Sequence, residues 1–253
     1  MRALALGDDG ALRDWIANES ATRLAEARRD ARLALARLEA LDARLVVLGT
    51  PEYPAGLRDL KDPPAWLAVR GTLGTSPWRE GTAIVGSRDG DATSLAAARA
   101  LAGRVAGPVV SGLARGIDTA AHEGALAAGV ATLAYVGSGL GSTYPPENAE
   151  LAERIVAGGG ALLSELLPDE PVTRWSLVRR DRLQAAHSAA IVLVQSEADG
   201  GAMHAMRAAR ELGRARFAFA PREGDAFAGN ARAVSEGATA IPWDQQPETI
   251  EPP

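Results

Sequence analysis

The chain contains no cysteine among its 253 residues. That excludes disulfides, thiolate metal sites and a cysteine nucleophile, and it fits a reducing cytosol. Lysine is almost absent as well: Lys61 stands alone and every other basic residue is arginine. No window approaches the roughly 18 consecutive apolar residues of a membrane span. Nor does the N-terminus show a basic stretch followed by an apolar one. The sequence therefore predicts no membrane span, no signal peptide and a cytoplasmic location. Repeats of fixed period and long low-complexity tracts are also lacking.

What is present is ordinary for a globular chain, with 47% hydrophobic and 23% charged residues and length enough for a sizeable core. The net charge of −5 argues against a generally basic surface. Its distribution is uneven. Residues 170–222 carry nine arginines against five acids, whereas the stretch from 223 onward has six acids and only Arg232. An anionic chain would therefore meet a local patch rather than a whole basic face.

Apolar runs at 82–86, 108–111, 130–136, 161–164, 190–195 and 215–220 alternate with helical patterns at 91–106, 117–128, 146–158 and 200–213. Continuous apolar strands separated by helices predict an α/β fold with a parallel sheet covered on both faces. Upstream, residues 10–42 keep helical leucine spacing, with Asn18 or Ser20 as a cap within it. Arg44–Leu48 reads as a short strand, Trp66–Val69 as an edge strand, residues 71–81 as a loop and Ala238–Ile241 as a last strand. The predicted organisation is a helical N-terminal region over 1–49, a Rossmann-like unit over 50–241 and an acidic, proline-bearing tail over 242–253.

In such a sheet, ligands bind beyond the carboxyl ends of the strands, at the switch point of the topology. Several loops converge on that edge. Gly86-Ser87-Arg88 follows one strand, and Ser111-Gly112-Leu-Ala-Arg115-Gly116-Ile-Asp118 links another to a helix start. A glycine-bearing turn brings N–H groups close to an oxyanion, the helix start adds partial positive charge, and arginine supplies a planar donor fork. Gly137-Ser-Gly139, Ser164-Glu165 and Asp199-Gly-Gly201 join the same edge.

Other chemistries fit less well. Gly137-Ser-Gly-Leu-Gly141 looks like a dinucleotide turn, but Tyr144-Pro-Pro146 follows it instead of a helix, so no nicotinamide or flavin cofactor is expected. Ser111, Asp118 and His122 invite a hydrolase reading, yet no G-x-S-x-G elbow surrounds the serine, and the aspartate and histidine share one helix face. His122, His187 and His204 show no metal-ligand spacing, so no metal is expected. In the run 174–182, Arg179, Arg180 and Arg182 fall at roughly 0°, 100° and 300° around a helix and cannot all face one ligand. Some would pair with acids such as Asp181 or Glu165 while others met phosphate, and Trp175 could stack on a base.

Taken in order, the loops resemble the DNA-processing protein A family (DprA, also called Smf). The resemblance runs from Tyr53-Pro54, Asp62-Pro-Pro64 and Arg70-Gly71 through Val85–Arg88, Ser111–Asp118, Ala121-His122 and Gly124–Leu126. It continues through Gly137–Leu140, Tyr144-Pro145, Asn148 and Ser164-Glu165 to Asn230 and Glu236–Ala238, covering roughly residues 45–241. It implies an extended Rossmann-like, doubly wound, mostly parallel sheet that binds single-stranded DNA, dimerises and helps load the recombinase RecA in natural transformation, without catalysis. It further implies that Arg88 and Arg115 contact the backbone, that Ser87, Gly112, Gly116 and Gly139 shape the pocket, and that Arg180 and Arg182 belong to the family's Arg-Asn-Arg element.

The DNA or phosphate site expected here comprises Gly86, Ser87, Arg88, Ser111, Gly112, Arg115, Gly116, Gly137, Gly139, Arg180 and Arg182, with Asp118, His122, Ser164 and Glu165 in support. Three departures stand out. Asp181 replaces the central asparagine of the arginine element, and Gly200-Gly-Ala-Met203 lacks the hydroxyls of the family's loop. The resemblance also stops short of a winged-helix module. The first two departures leave room for an alternative, a nucleotide-derived signal held in the same pocket; a phosphoribohydrolase-like enzyme acting on nucleoside monophosphates is a remoter one, since Asp199–Met206 lacks the threonine and glutamate of such enzymes.

Overall fold

The computed structural model describes Ala17, residues 19–73 and residues 81–244. The early part of the 10–42 helix, Asn18, most of the 71–81 loop and the tail from 245 lie outside the described residues. In chain order the elements are α1 (Ala21–Ala40), β1 (Ala43–Val47), β2 (Trp66–Gly71), β3 (Thr82–Val85), α2 (Ala92–Ala102), β4 (Val109–Ser111), α3 (Ile117–Ala127) and β5 (Thr132–Tyr135). They continue as α4 (Ala149–Ala157), β6 (Ala161–Ser164), α5 (Arg174–Ala186), β7 (Ala190–Leu193), α6 (Ala202–Glu211), β8 (Ala215–Phe219), α7 (Ala228–Ser235) and β9 (Thr239–Ile241). Caps set several helix starts. The Ser20 hydroxyl accepts from the Arg23 N–H, the Asp91 carboxylate from the Ser94 N–H, and Thr173 and Ser176 form a reciprocal capping box.

The nine strands form one sheet in the order β1-β2-β6-β5-β4-β3-β7-β8-β9. Pairing is parallel from β6 to β9, and antiparallel for β1 with β2 and β2 with β6. The fold is thus the expected doubly wound, mostly parallel α/β sheet. One strand differs from expectation: β2 is not an edge, because β1 covers it. Leu67, Ala68 and Val69 are all buried, so both faces of β2 are packed and its backbone needs partners on both sides. The edge position falls to β1, where only Val46 is buried.

Alternate residues of the strands face opposite layers. Ala83 and Val85 of β3 join Leu183 of α5 and Met203 and Met206 of α6, while Ile84 meets Leu101 of α2 and Ile117 of α3 on the other face. A smaller cluster packs Leu151 and Ile155 of α4 on Ala134 and Leu162. Each fully buried Leu or Ile contributes roughly 1.5–3 kcal/mol of transfer free energy. The chain starts its parallel part at β3, steps outward to β6, then returns across to β7 on β3's other side. The switch point therefore lies between β3 and its two neighbours, and loops leaving β3, β4 and β7 meet there.

Candidate functional site

The loops after β3 and β4 are locked to each other. The Ile117 N–H donates to the Ser87 carbonyl at 3.1 Å, and the Ser87 N–H donates across to the Gln195 carbonyl, beyond β7, at 2.8 Å. Gly116 makes this contact possible. Its φ is +72°, and a Cβ there would sit 2.4 Å from the Ser87 oxygen and 2.5 Å from that of Arg88. Only glycine fits both the backbone angle and the space.

Asp118 and His122 shape the β4 loop from beneath. The Asp118 Oδ2 accepts from the N–H groups of Gly112 (3.1 Å) and Ala114 (3.3 Å). His122 Nε2 accepts from the Leu113 N–H at 3.3 Å, so its Nδ1 carries the proton and donates to Thr132 Oγ1 at 2.7 Å. This imidazole is fully buried and uncharged, its pKa pushed down to about 3 by burial and then by the Arg180 guanidinium. The Asn148 amide completes the support by donating to the Leu113 carbonyl at 2.9 Å. The Ser111 hydroxyl, meanwhile, donates to the Ile84 carbonyl. The hydrolase-like trio is therefore a scaffold for loop geometry, with no serine–histidine contact.

Helix α5 runs across this edge and its arginines divide between two faces. Arg180 lies under the loop, 5% exposed, with Nη1 3.8 Å from Asp118 Oδ2 and Nε 3.3 Å from Asp181 Oδ1. A Cβ on Gly112 would fall 1.2 Å from Arg180 Nη1, so the glycine leaves the seat that the guanidinium occupies. Neither Nε nor Nη1 of Arg180 has a hydrogen-bond partner among the described residues. Arg179 and Arg182, three residues apart, turn together to the other side. There Glu165 receives Arg182 Nη2 at 2.9 Å and Arg179 Nε at 3.4 Å, and Asp62 takes up Arg179 as well.

Two adjoining hollows open at the switch point, of about 410 and 230 Å³, sharing Arg88, Ala114, Leu177 and Arg180 in their walls. The larger also takes in Gly86, Ser87, Asp118, Asp181 and the Asp199–Ala202 turn with His204. The smaller includes Gly112, Arg115, Tyr144 and Glu147. Arg88 and Arg115 are exposed. Among the described residues, Arg88 has no carboxylate within ion-pair distance, and Arg115 has only Glu147, at 4.0 Å.

The structure thus brings Gly86, Ser87, Arg88, Gly112, Arg115, Asp118 and Arg180 to one cleft, with Ser111, Gly116 and His122 behind it. It places Gly137, Gly139, Ser164, Glu165 and Arg182 outside the walls of either hollow. Those glycines serve packing: a Cβ at Gly137 would meet Leu177 at 2.8 Å, and one at Gly139 the Leu167 carbonyl at 2.0 Å. The Ser164 hydroxyl ties the neighbouring turn by donating to the Ser138 carbonyl at 2.7 Å. Sequence reasoning missed Tyr144, Asn148, Leu177 and His204 as parts of the site. Tyr144-Pro145 and Asn148 carry the family resemblance in the sequence without being assigned to the site, because their closeness to the Arg115 loop exists only in the fold.

Glycine turns and arginines gathered at the switch point of a doubly wound sheet define a Rossmann-like protein with an arginine-bearing cleft at that edge. The chain belongs to the DNA recombination-mediator protein A family, whose model matches residues 44–250. It is 30% identical to DNA processing protein DprA of Bacillus subtilis over 79% of this chain and 68% of that one. To protein Smf of Escherichia coli it is 33% identical over 72% of this chain and 49% of that one. It thus spans about half to two thirds of the length of these relatives. Among solved structures it superposes on DNA processing protein A of Streptococcus pneumoniae with a TM-score of 0.72 and 28% identity, covering 78% of this chain and 70% of the other. For the Helicobacter pylori protein, described in terms of a single-stranded DNA binding mode, the TM-score is 0.68 at 27% identity, covering 78% and 91%. Among the described residues, no helix is long and apolar enough to cross a membrane.

Proposed function

We propose that this chain binds single-stranded DNA along the two joined hollows and acts as a recombination mediator in the cytoplasm during DNA uptake, by binding rather than catalysis. The observation that carries the reading is the arginine arrangement at the switch point. Arg88 stands exposed with no carboxylate in ion-pair range, and Arg115, on the loop that seats Arg180, has only Glu147 near it among the described residues. Arginines on a rigid turn can hold successive phosphates with little readout of bases, and Tyr144 in the smaller hollow offers a ring for stacking. The glycine at 112 and the supports from Asp118, His122 and Asn148 hold that loop open before ligand arrives.

Family membership supports the same reading, and neither a nucleotide sensor nor a phosphoribohydrolase is favoured by it. Assembly as a homodimer and delivery of the bound strand to a RecA recombinase complete the proposal. Fluorescence anisotropy with single- and double-stranded oligonucleotides over a salt series tests it. Micromolar or tighter binding to single strands is expected, with Arg88→Ala and Arg115→Ala each weakening it about 5–10-fold and flattening the salt slope by about 0.7 per lost phosphate contact. Absence of binding even at low salt overturns the proposal.

A further inference from the structure

Helix α5 brings a carboxylate to the wall of an anion cleft, where it opposes the ligand. The side chain of Asp181 is mostly buried, lines the larger hollow, and has its Oδ1 3.3 Å from Arg180 Nε. Among the described residues, its only neutral donor is the Gln184 amide, at 3.5 Å. Asp118, the other carboxylate against Arg180, is better served, since two backbone N–H groups point at its Oδ2. Charged groups face this position from each neighbouring element. Arg180 comes from the same helix, Asp118 from α3 and Arg88 from the loop after β3. Glu197, Asp199 and His204 line the same hollow from the β7–α6 side, and Arg174 from the start of α5.

We propose that Asp181 is the built-in counter-ion of Arg180, and that a phosphate entering the cleft takes its place electrically, so that binding is coupled to uptake of one proton from solvent by this carboxylate. The inference rests on the anion-binding reading of the cleft and adds a specificity determinant to it. A phosphate beside an ionised Asp181 meets like charge in a poorly solvated wall, whereas a neutral carboxyl there is a hydrogen-bond donor. The free protein is already close to that state. Burial pushes the Asp181 carboxyl up to about 7, Arg180 opposing the rise and Asp118 adding to it. Asparagine is the permanently neutral residue of the same shape. Here, Asp181 makes affinity fall as pH rises.

The test compares wild type with Asp181→Asn for binding of a fluorescent oligodeoxynucleotide between pH 6 and pH 8.5 at constant ionic strength. If only the neutral form binds, wild-type affinity falls about tenfold from pH 6 to pH 8 beyond any change shared with the variant. The two proteins bind alike near pH 6, and the variant binds about tenfold tighter at pH 8. Every group common to the two proteins cancels in the ratio. Calorimetry at pH 8 in two buffers of different ionisation enthalpy counts the proton directly: close to one taken up by wild type and none by Asp181→Asn. A pH-independent ratio of affinities, or equal proton uptake, overturns this inference alone. Failure of both proteins to bind at any pH and low salt overturns the single-stranded DNA reading and this inference with it.

Discussion

Replacing Gly116 by alanine tests whether the two loops of the cleft are held together as the structure describes. The residue sits at φ +72° and ψ −122°, a region that residues with a Cβ avoid. Holding alanine there costs about 1–3 kcal/mol. The new Cβ would lie 2.4 Å from the Ser87 oxygen and 2.5 Å from that of Arg88, where ordinary contact begins at 3.4 Å. Both neighbours are backbone atoms and cannot rotate away. Opening the loops breaks the Ile117 N–H bond to Ser87, worth about 1 kcal/mol net, and disturbs packing by about a further 1 kcal/mol.

The combined loss is about 3–5 kcal/mol, a large part of the 5–15 kcal/mol typical of a domain. Gly129→Ala is the control. Its φ is +69° but nothing lies within 4 Å of an added Cβ, so it carries only the backbone term of about 1–2 kcal/mol. Urea unfolding by linear extrapolation measures both variants, and oligonucleotide anisotropy below the transition reports on the cleft. Equal destabilisation by the two substitutions, with unchanged binding, would refute the claim that Gly116 locks the loops.

Acid should unfold the protein partly through two histidines. His122 and His187 are both pushed down to about 3, burial being the leading cause in each, so they stay neutral in the fold while the unfolded chain takes up protons below about 6.5. Their contribution is complete above that pH and is lost as pH falls from 6.5 towards 3, by about 1.4 kcal/mol per pH unit for each histidine. His122→Asn should reduce the slope of stability against pH by one such step; an unchanged slope in chemical denaturation would show that His122 is not buried neutral. Arg182→Ala should leave oligonucleotide affinity within about twofold while lowering stability by about 2 kcal/mol, because the buried Glu165 keeps only Arg179. A clear loss of affinity in a folded Arg182→Ala protein would move that residue into the interface.

The fold was largely readable because its signals are local. Each apolar run from Thr82 onward, such as Ala190–Leu193, became a strand, since four consecutive apolar residues between helical patterns suit a sheet covered on both faces. Helix α5 was readable only in part. Its arginines alternate with apolar residues without a clean stripe, because one face covers the sheet, one lines the cleft and one meets Glu165. Helix α7, Ala228–Ser235, was not anticipated, its alanine- and glycine-rich sequence carrying no apolar stripe. The position of β2 depends on β1 folding back over it, a pairing between segments joined by a proline-rich stretch that has no periodicity to read.

The site divides in the same way. Glycines before helix starts, arginines within the turns and Asp118 on the first turn of α3 are written in the chain, because turn geometry and helix polarity depend on adjacent residues. Which arginines remain available to a ligand is not written there. The residue at 182 is taken by Glu165, the one at 180 is seated under Gly112 between two carboxylates, and those at 88 and 115 stay at the surface. Residues far apart in sequence decide each outcome, since charge pairing and burial act through distance in space. The tertiary structure likewise sets the state of Asp181: its chemistry is legible in one letter, but only its burial, reinforced by Asp118 and opposed by Arg180, raises its proton affinity into the range where it can respond to a ligand.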